Sequence, residues 1–239
     1  AMAIAESDRV STGLAGLDEI LHGGFISERT YTIRGDSGTG KTILGYHFLT
    51  QGVAEGETSL YFAFEETATD ITANAAGLGF DFEDVIIEDM SPSADQFLDD
   101  GTYTVFGPGE VEADSIVTQI SEAVDRHQPD RVFIDPLTLL RHLTPDEFQF
   151  KRTAASMMSY MKNRGITTLF TTQSTSAHTD EDLQYLADGS VMMRRTENGR
   201  ELEVEKFRGS GFRSGSHGIR IDSGRGISVF PSLDPQEHE

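Results

Sequence analysis

The run Gly35-Asp36-Ser37-Gly38-Thr39-Gly40-Lys41-Thr42 leaves a chain few ways to fold. It fits G-x-x-x-x-G-K-[ST], a spacing in which glycines let backbone N–H groups turn inward around phosphate oxygens. The start of the following helix adds its positive dipole end. This needs a strand, a tight loop and a helix in that order. The flanks comply. Thr30-Tyr31-Thr32-Ile33-Arg34 is β-rich, and Thr42 to Ala54 has helical spacing with Leu44 and Phe48 on one face. Lys41 then reaches the β/γ-phosphates of a nucleoside triphosphate, the Thr42 hydroxyl faces Mg2+, and Ile43 closes the candidate nucleotide-binding segment.

At 239 residues the chain suits one α/β domain, read as spanning 1–239. It has no cysteine, which excludes disulfides and thiolate metal sites. No apolar run is long enough to span a membrane, and Ala1 to Arg9 lack a signal-peptide pattern. A cytoplasmic location is expected. The formal net charge is -21, from 40 acidic and 19 basic residues. Such a surplus repels itself in dilute buffer and reads as halophilic adaptation to a salt-rich cytoplasm. The charge is unevenly placed. Thr42 to Asp125 holds 18 acidic residues and no lysine or arginine, which argues against a polyanion along that region. Ser190 to Gly226 holds 8 basic residues and is a candidate anion-contact segment.

Short apolar strands at Ser59–Phe64, Val85–Ile87, Arg131–Ile134 and Thr167–Thr172 alternate with helical spacing at Thr69–Leu78 and Val111–His127. Thr144-Pro145-Asp146-Glu147 has the form of a capping box. The helix it opens should run to about Asn163 and bury Phe150, Ala154, Met157 and Met161. Ser91 to Glu110 reads as irregular, and Asp81 to Asp114 as an acidic surface open to a regulatory protein partner. From Ser190 the pattern turns to strands with glycine turns. The expected fold is therefore α/β: a mostly parallel central sheet flanked by helices, with a β-rich C-terminal extension.

Hydrolysis of a triphosphate needs a held metal, an oriented water and positive charge at the γ-phosphate. Asp135 ends an apolar strand, where a carboxylate can hold Mg2+ beside the phosphate loop in the manner of a Walker B aspartate. Glu65 and Glu66 end the strand after the loop's helix. Strand alternation lets only one of them face the γ-phosphate squarely, to orient and deprotonate water. Gln173 ends another strand, placed to sense the γ-phosphate and pass its loss to Ser174–Thr179. Lys206 and Arg208 alternate, so both point to one side of a strand.

Together these residues make the chain resemble the KaiC-like branch of the RecA superfamily of ATPases, which includes circadian clock proteins. The matching segments are Ser11–Leu21, the phosphate loop, Phe64-Glu65-Glu66, the strand ending at Asp135, Tyr185–Gly189, Lys206-Phe207-Arg208-Gly209-Ser210 and Gly226–Pro231. The resemblance implies a RecA-like core, hexameric rings and ATP with Mg2+ between subunits. It implies that Glu65 and Glu66 are catalytic, with Lys41 and Arg208. It also implies that Lys206, Phe207 and Arg208 contact ATP across the subunit boundary, with Asp222 near the nucleotide there.

The chain also departs from the pattern. Gln184-Tyr185 stand where a phosphorylated Ser-Thr pair would lie, so self-phosphorylation is unsupported. Phe212 replaces a common histidine, and Pro136 follows Asp135 where serine is usual. The reading is a slow regulatory ATPase. The alternatives are a recombinase-like DNA-binding ATPase, gripping DNA through Arg141, His142 and His178, and a nucleotide-binding scaffold without turnover.

Overall fold

The computed structural model describes residues 8–91, 108–144, 146–173 and 180–233, with only the backbone described for 108–115 and 143. The chain opens with β1 (Arg9–Val10), α1 (Ala15–Ile20) and β2 (Phe25–Ile26). Next come β3 (Thr30–Arg34), α2 (Lys41–Ala54), β4 (Ser59–Ala63), α3 (Ala68–Gly77) and β5 (Ile86–Asp89). They are followed by α4 (Pro108–His127), β6 (Arg131–Asp135), a 3-10 turn (Leu137–Leu143), α5 (Glu147–Asn163), β7 (Thr167–Thr172) and α6 (Glu181–Leu186). Four strands close the described chain: β8 (Gly189–Thr196), β9 (Gly199–Phe207), β10 (Ser216–Asp222) and β11 (Gly226–Phe230). Among the described residues no helix is long and apolar enough to cross a membrane.

Nine strands form one sheet in the order β11-β10-β9-β8-β3-β7-β6-β4-β5. The pairs from β8 through β5 are parallel, and β8 through β11 pair antiparallel. The expected parallel sheet with a β-rich extension is what the chain builds. Strands β3, β4 and β7 are buried at every position, as befits parallel strands covered on both faces. One face packs against α1, α2 and α3 through Leu17, Leu44, Phe48, Tyr61 and Phe133. The other packs against α4 and α5 through Ile120, Val124, Phe150, Met157 and Met161.

A buried arginine fastens these layers to the N-terminal segment. Arg131, fully enclosed at the start of β6, donates to the Ser11 and Phe48 carbonyls and pairs with Glu55 and Glu57. A buried guanidinium is tolerable only when its donors are satisfied this fully.

The expected capping box is shifted. Pro145 lies outside the described residues, and the N-cap of α5 is Asp146, whose carboxylate accepts from the Gln149 N–H at 2.8 Å. The Thr144 hydroxyl instead donates backward to the Leu140 and Arg141 carbonyls and closes the 3-10 turn. Residues 92–107, most of Ser91–Glu110 and nearly half of Asp81–Asp114, lie outside the described residues, and residues 108–110 already belong to α4.

Candidate functional site

In a parallel sheet, ligands bind beyond the carboxyl ends of the strands. The carboxyl ends of β3, β4, β6 and β7 lie along one edge of this sheet and lead into Gly35, Glu65, Asp135 and Gln173. A cleft of about 340 Å3 opens there, lined by Lys41, Thr42, Glu65, Asp135, Thr171 and Gln173 among others.

The loop between β3 and α2 is shaped for an anion. Gly40 takes a φ of 106°, which an L side chain resists, and a Cβ there would strike Ile221 at 2.8 Å. Gly40 is also the N-cap of α2 and offers no side-chain acceptor, so the first N–H groups of the helix are left to whatever enters the loop. The Lys41 ammonium folds over the loop and donates to the Gly35 and Asp36 carbonyls, both at 2.7 Å. Burial lowers its pKa, against the pull of Asp135 and Asp36. Thr39 ties the loop by donating to the Asp36 carbonyl at 2.9 Å. Ser37, Gly38 and Ile43 complete the lining on this side.

Three hydroxyls converge on Asp135. Thr42 donates to Oδ2 at 2.8 Å, Tyr61 donates to the same oxygen at 3.1 Å, and Thr171 donates to Oδ1. Thr42 and Asp135 are thus in contact at the mouth of the loop, the arrangement that would hold Mg2+. Among the described residues no group of three or more His, Asp or Glu could hold a metal alone.

The two glutamates part company, though not by strand alternation. β4 stops at Ala63, and Glu65 and Glu66 sit in the bend beyond it. Glu65 lines the cleft, and its carboxyl pKa is raised by burial and then by Asp135 and Glu66. Both side chains are exposed to solvent, and Glu66 does not line the cleft. Gln173 lines the cleft at the end of β7, while Ser174–Thr179 lies outside the described residues.

The remaining candidates lie elsewhere. Lys206 Nζ caps the carboxyl end of α6, donating to the Gln184, Tyr185 and Ala187 carbonyls, and Arg208 donates to the Tyr185 carbonyl at 3.3 Å. Burial and then the nearby Arg208 lower the Lys206 pKa. Phe207 is buried against Tyr31 with ring centroids 5.8 Å apart, so only its main chain is available to a ligand. Asp222 ends β10, next to the cleft-lining Ile221, and pairs with Arg220 at 2.7 Å. Phe212 packs against the core. Pro136 lines the cleft, and its peptide bond to Asp135 is cis.

Reasoning by motif missed Tyr61, Thr171 and Arg200. Arg200 lines the cleft at the start of β9, with one terminal nitrogen 3.5 Å from the Gly38 carbonyl. Its Nε is buried without a hydrogen-bond partner among the described residues. Arg195 stands directly opposite Arg200 on β8, its guanidinium 3.6 Å from the point a Gly38 Cβ would occupy. Like charges facing across a strand pair are unfavourable, and neither arginine has a carboxylate partner among the described residues. Two uncompensated cations beside a phosphate loop, in so acidic a chain, suit an anion. The basic run of Ser190 to Gly226 was the sequence signal for them.

The chain has relatives among known proteins. A sequence model of the family described as "ATPase: KaiC" matches residues 10–234. The chain is 28% identical over 232 residues to the circadian clock oscillator protein KaiC of Prochlorococcus marinus (strain MIT 9313), covering 93% of this chain and 46% of that protein. It is 29% identical over 229 residues to the protein of that name from Parathermosynechococcus lividus, covering 92% of this chain and 42% of the relative. The chain therefore spans less than half the length of these relatives. With the family model matching nearly its whole length, and the phosphate loop and Asp135 set as an ATPase needs them, the chain belongs to the KaiC family of ATPases.

Proposed function

We propose that this chain binds ATP with Mg2+ and hydrolyses it slowly, within a hexameric ring whose nucleotide state regulates a protein partner. One observation supports the reading above others: Lys41, Thr42, Asp135, Glu65 and Gln173, scattered over 133 residues, line one cleft. The donor set suits a triphosphate. Lys41 gives up its loop carbonyls to pair with β/γ oxygens, the uncapped start of α2 donates N–H groups, and Arg195 and Arg200 add charge from the outer side. Bound Mg2+ supplies neutralisation of the phosphate oxygens. Glu65 orients the attacking water and takes its proton, for which a raised carboxyl pKa suits it.

Lys206 and Arg208 do not line the cleft of their own chain. In the proposal they serve the triphosphate of the adjacent subunit, with the Phe207 main chain and Asp222 at the same boundary. Mixing tests this. Lys41→Ala and Arg208→Ala proteins should each be inactive. An equimolar mixture should recover about a quarter of the wild-type rate, because one boundary in four joins an intact loop to an intact arginine. A mixture as inactive as its components would refute action between subunits.

The DNA-binding reading loses support. Arg141 pairs with Glu147 at 2.8 Å and stacks over Phe150, leaving little charge to offer a phosphate backbone. His178 lies outside the described residues. Gln184, at the place of a phosphorylated pair, donates to Glu205, in keeping with an ATPase that does not phosphorylate itself. The acidic surplus suits a salt-rich cytoplasm.

A further inference from the structure

Resting on the ATP·Mg2+ reading, we infer that the Tyr61 hydroxyl is a positioning group for the metal, holding the Asp135 carboxylate in the orientation that Mg2+ requires. Tyr61 lies on β4, and its register partner on β6 is Phe133, two residues before Asp135. The ring is buried in the face packed against α2, 4.9 Å from Phe133 and 6.2 Å from Tyr46 between centroids. Nothing in that packing calls for a hydroxyl, and phenylalanine would fill the same space. Among the described residues the hydroxyl has one hydrogen-bond partner, Asp135 Oδ2, at 3.1 Å. A buried phenol needs a partner, and a bond to a carboxylate is among the stronger kinds.

The consequence lies in how Asp135 is divided. Thr42 and Tyr61 both donate to Oδ2, and Thr171 donates to Oδ1. Thr42 and Thr171 are in the cleft lining, whereas Tyr61 approaches from the protein interior. Thr42 is the one member of this set that must also turn a lone pair to the metal, so its hydroxyl serves two partners. Among the described residues Tyr61 serves Asp135 alone. It fixes the torsion of the carboxylate from beneath; with three donors on Asp135, one acceptor site is left, on Oδ1, that could serve a metal or its water. Partners in the outer shell of a metal site commonly govern 10- to 100-fold of its affinity, by orienting the inner ligands.

Tyr61→Phe removes one oxygen and keeps the ring. The measurement is fluorescence titration of a fluorescent ADP analogue into wild-type and variant protein, first with chelator and then over a Mg2+ series. Thermal melting of both proteins runs alongside. The expected result is equal nucleotide affinity without Mg2+, melting temperatures within a few degrees, and a Mg2+ midpoint raised about 10-fold or more in the variant. Mn2+ binding followed by electron paramagnetic resonance should show the same weakening. If wild-type binding does not respond to Mg2+ at all, the metal reading itself fails. If wild type responds and Tyr61→Phe shows an unchanged or lower midpoint, the inference about Tyr61 is overturned and the metal reading stands.

Discussion

Acid should weaken this protein through His47, a residue on α2 that no motif singles out. Its Nε2 accepts from the Ile227 N–H at 2.8 Å, so that nitrogen carries no proton, and its ring packs edge-on to Phe80 at 4.7 Å. Burial pushes its pKa down from 6.5 to about 4. Above pH 6.5 the imidazole is neutral in folded and unfolded chains alike, and its titration leaves stability unchanged. As pH falls below 6.5 the unfolded chain takes up a proton that the folded chain refuses until about pH 4. The unfolded state then binds more protons, and stability falls with pH. The loss works out at about 2 kcal/mol by pH 5 and approaches about 3 kcal/mol near pH 4. His47→Gln keeps an acceptor for Ile227 and does not titrate. Urea unfolding of both proteins from pH 8 to pH 5, at constant high KCl, isolates the difference, because the carboxylates are common to both. The variant should lose about 2 kcal/mol less than wild type over that range. Parallel stability curves would refute the argument.

Glu65→Gln should cut phosphate release by about 100-fold or more, and by more than Glu66→Gln does; unchanged release in both would favour a scaffold without turnover. The wild-type rate should fall as pH drops, with a midpoint above the ordinary 4.5 of a glutamate, because Glu65 acts in its charged form and its pKa is raised. Gly45→Ala places a Cβ 2.1 Å from the Phe133 ring at the interface of α2 with the sheet. It should cost about 2–3 kcal/mol in urea unfolding. A change below about 0.5 kcal/mol would show that the ring moves aside freely.

The parts of the site that a short window of sequence contains were open to reading in advance. The phosphate loop, the helix after it and Asp135 at its strand end all follow from local spacing and residue type. The division between Glu65 and Glu66 was not, because it depends on β4 ending at Ala63 rather than continuing through both glutamates. Tyr61, Thr171 and Arg200 were hidden for a different reason. Each matters through a partner on another strand or loop, and register across a sheet is set by the assembled core. The same holds for Asp146, which takes the cap of α5 because Thr144 is already committed to the preceding turn.

Strand β9 has a further consequence. Near its start it carries Arg200, in the chain's own cleft, and near its end Lys206, about 20 Å away at roughly 3.3 Å per residue, with Arg208 just beyond. It is laddered to β8 over most of its length, with a bulge at Glu205, and to β10 over its first half. The stretch from Arg200 to Val204 is braced on its β8 side throughout and resists stretching, while the bulge at Glu205 is the point at which the ribbon can bend. Tension at one end, from an arginine drawn toward phosphate, would be delivered along this stretch toward the other. In the proposed ring, one strand would thus link the occupancy of a chain's own cleft to the boundary with its neighbour.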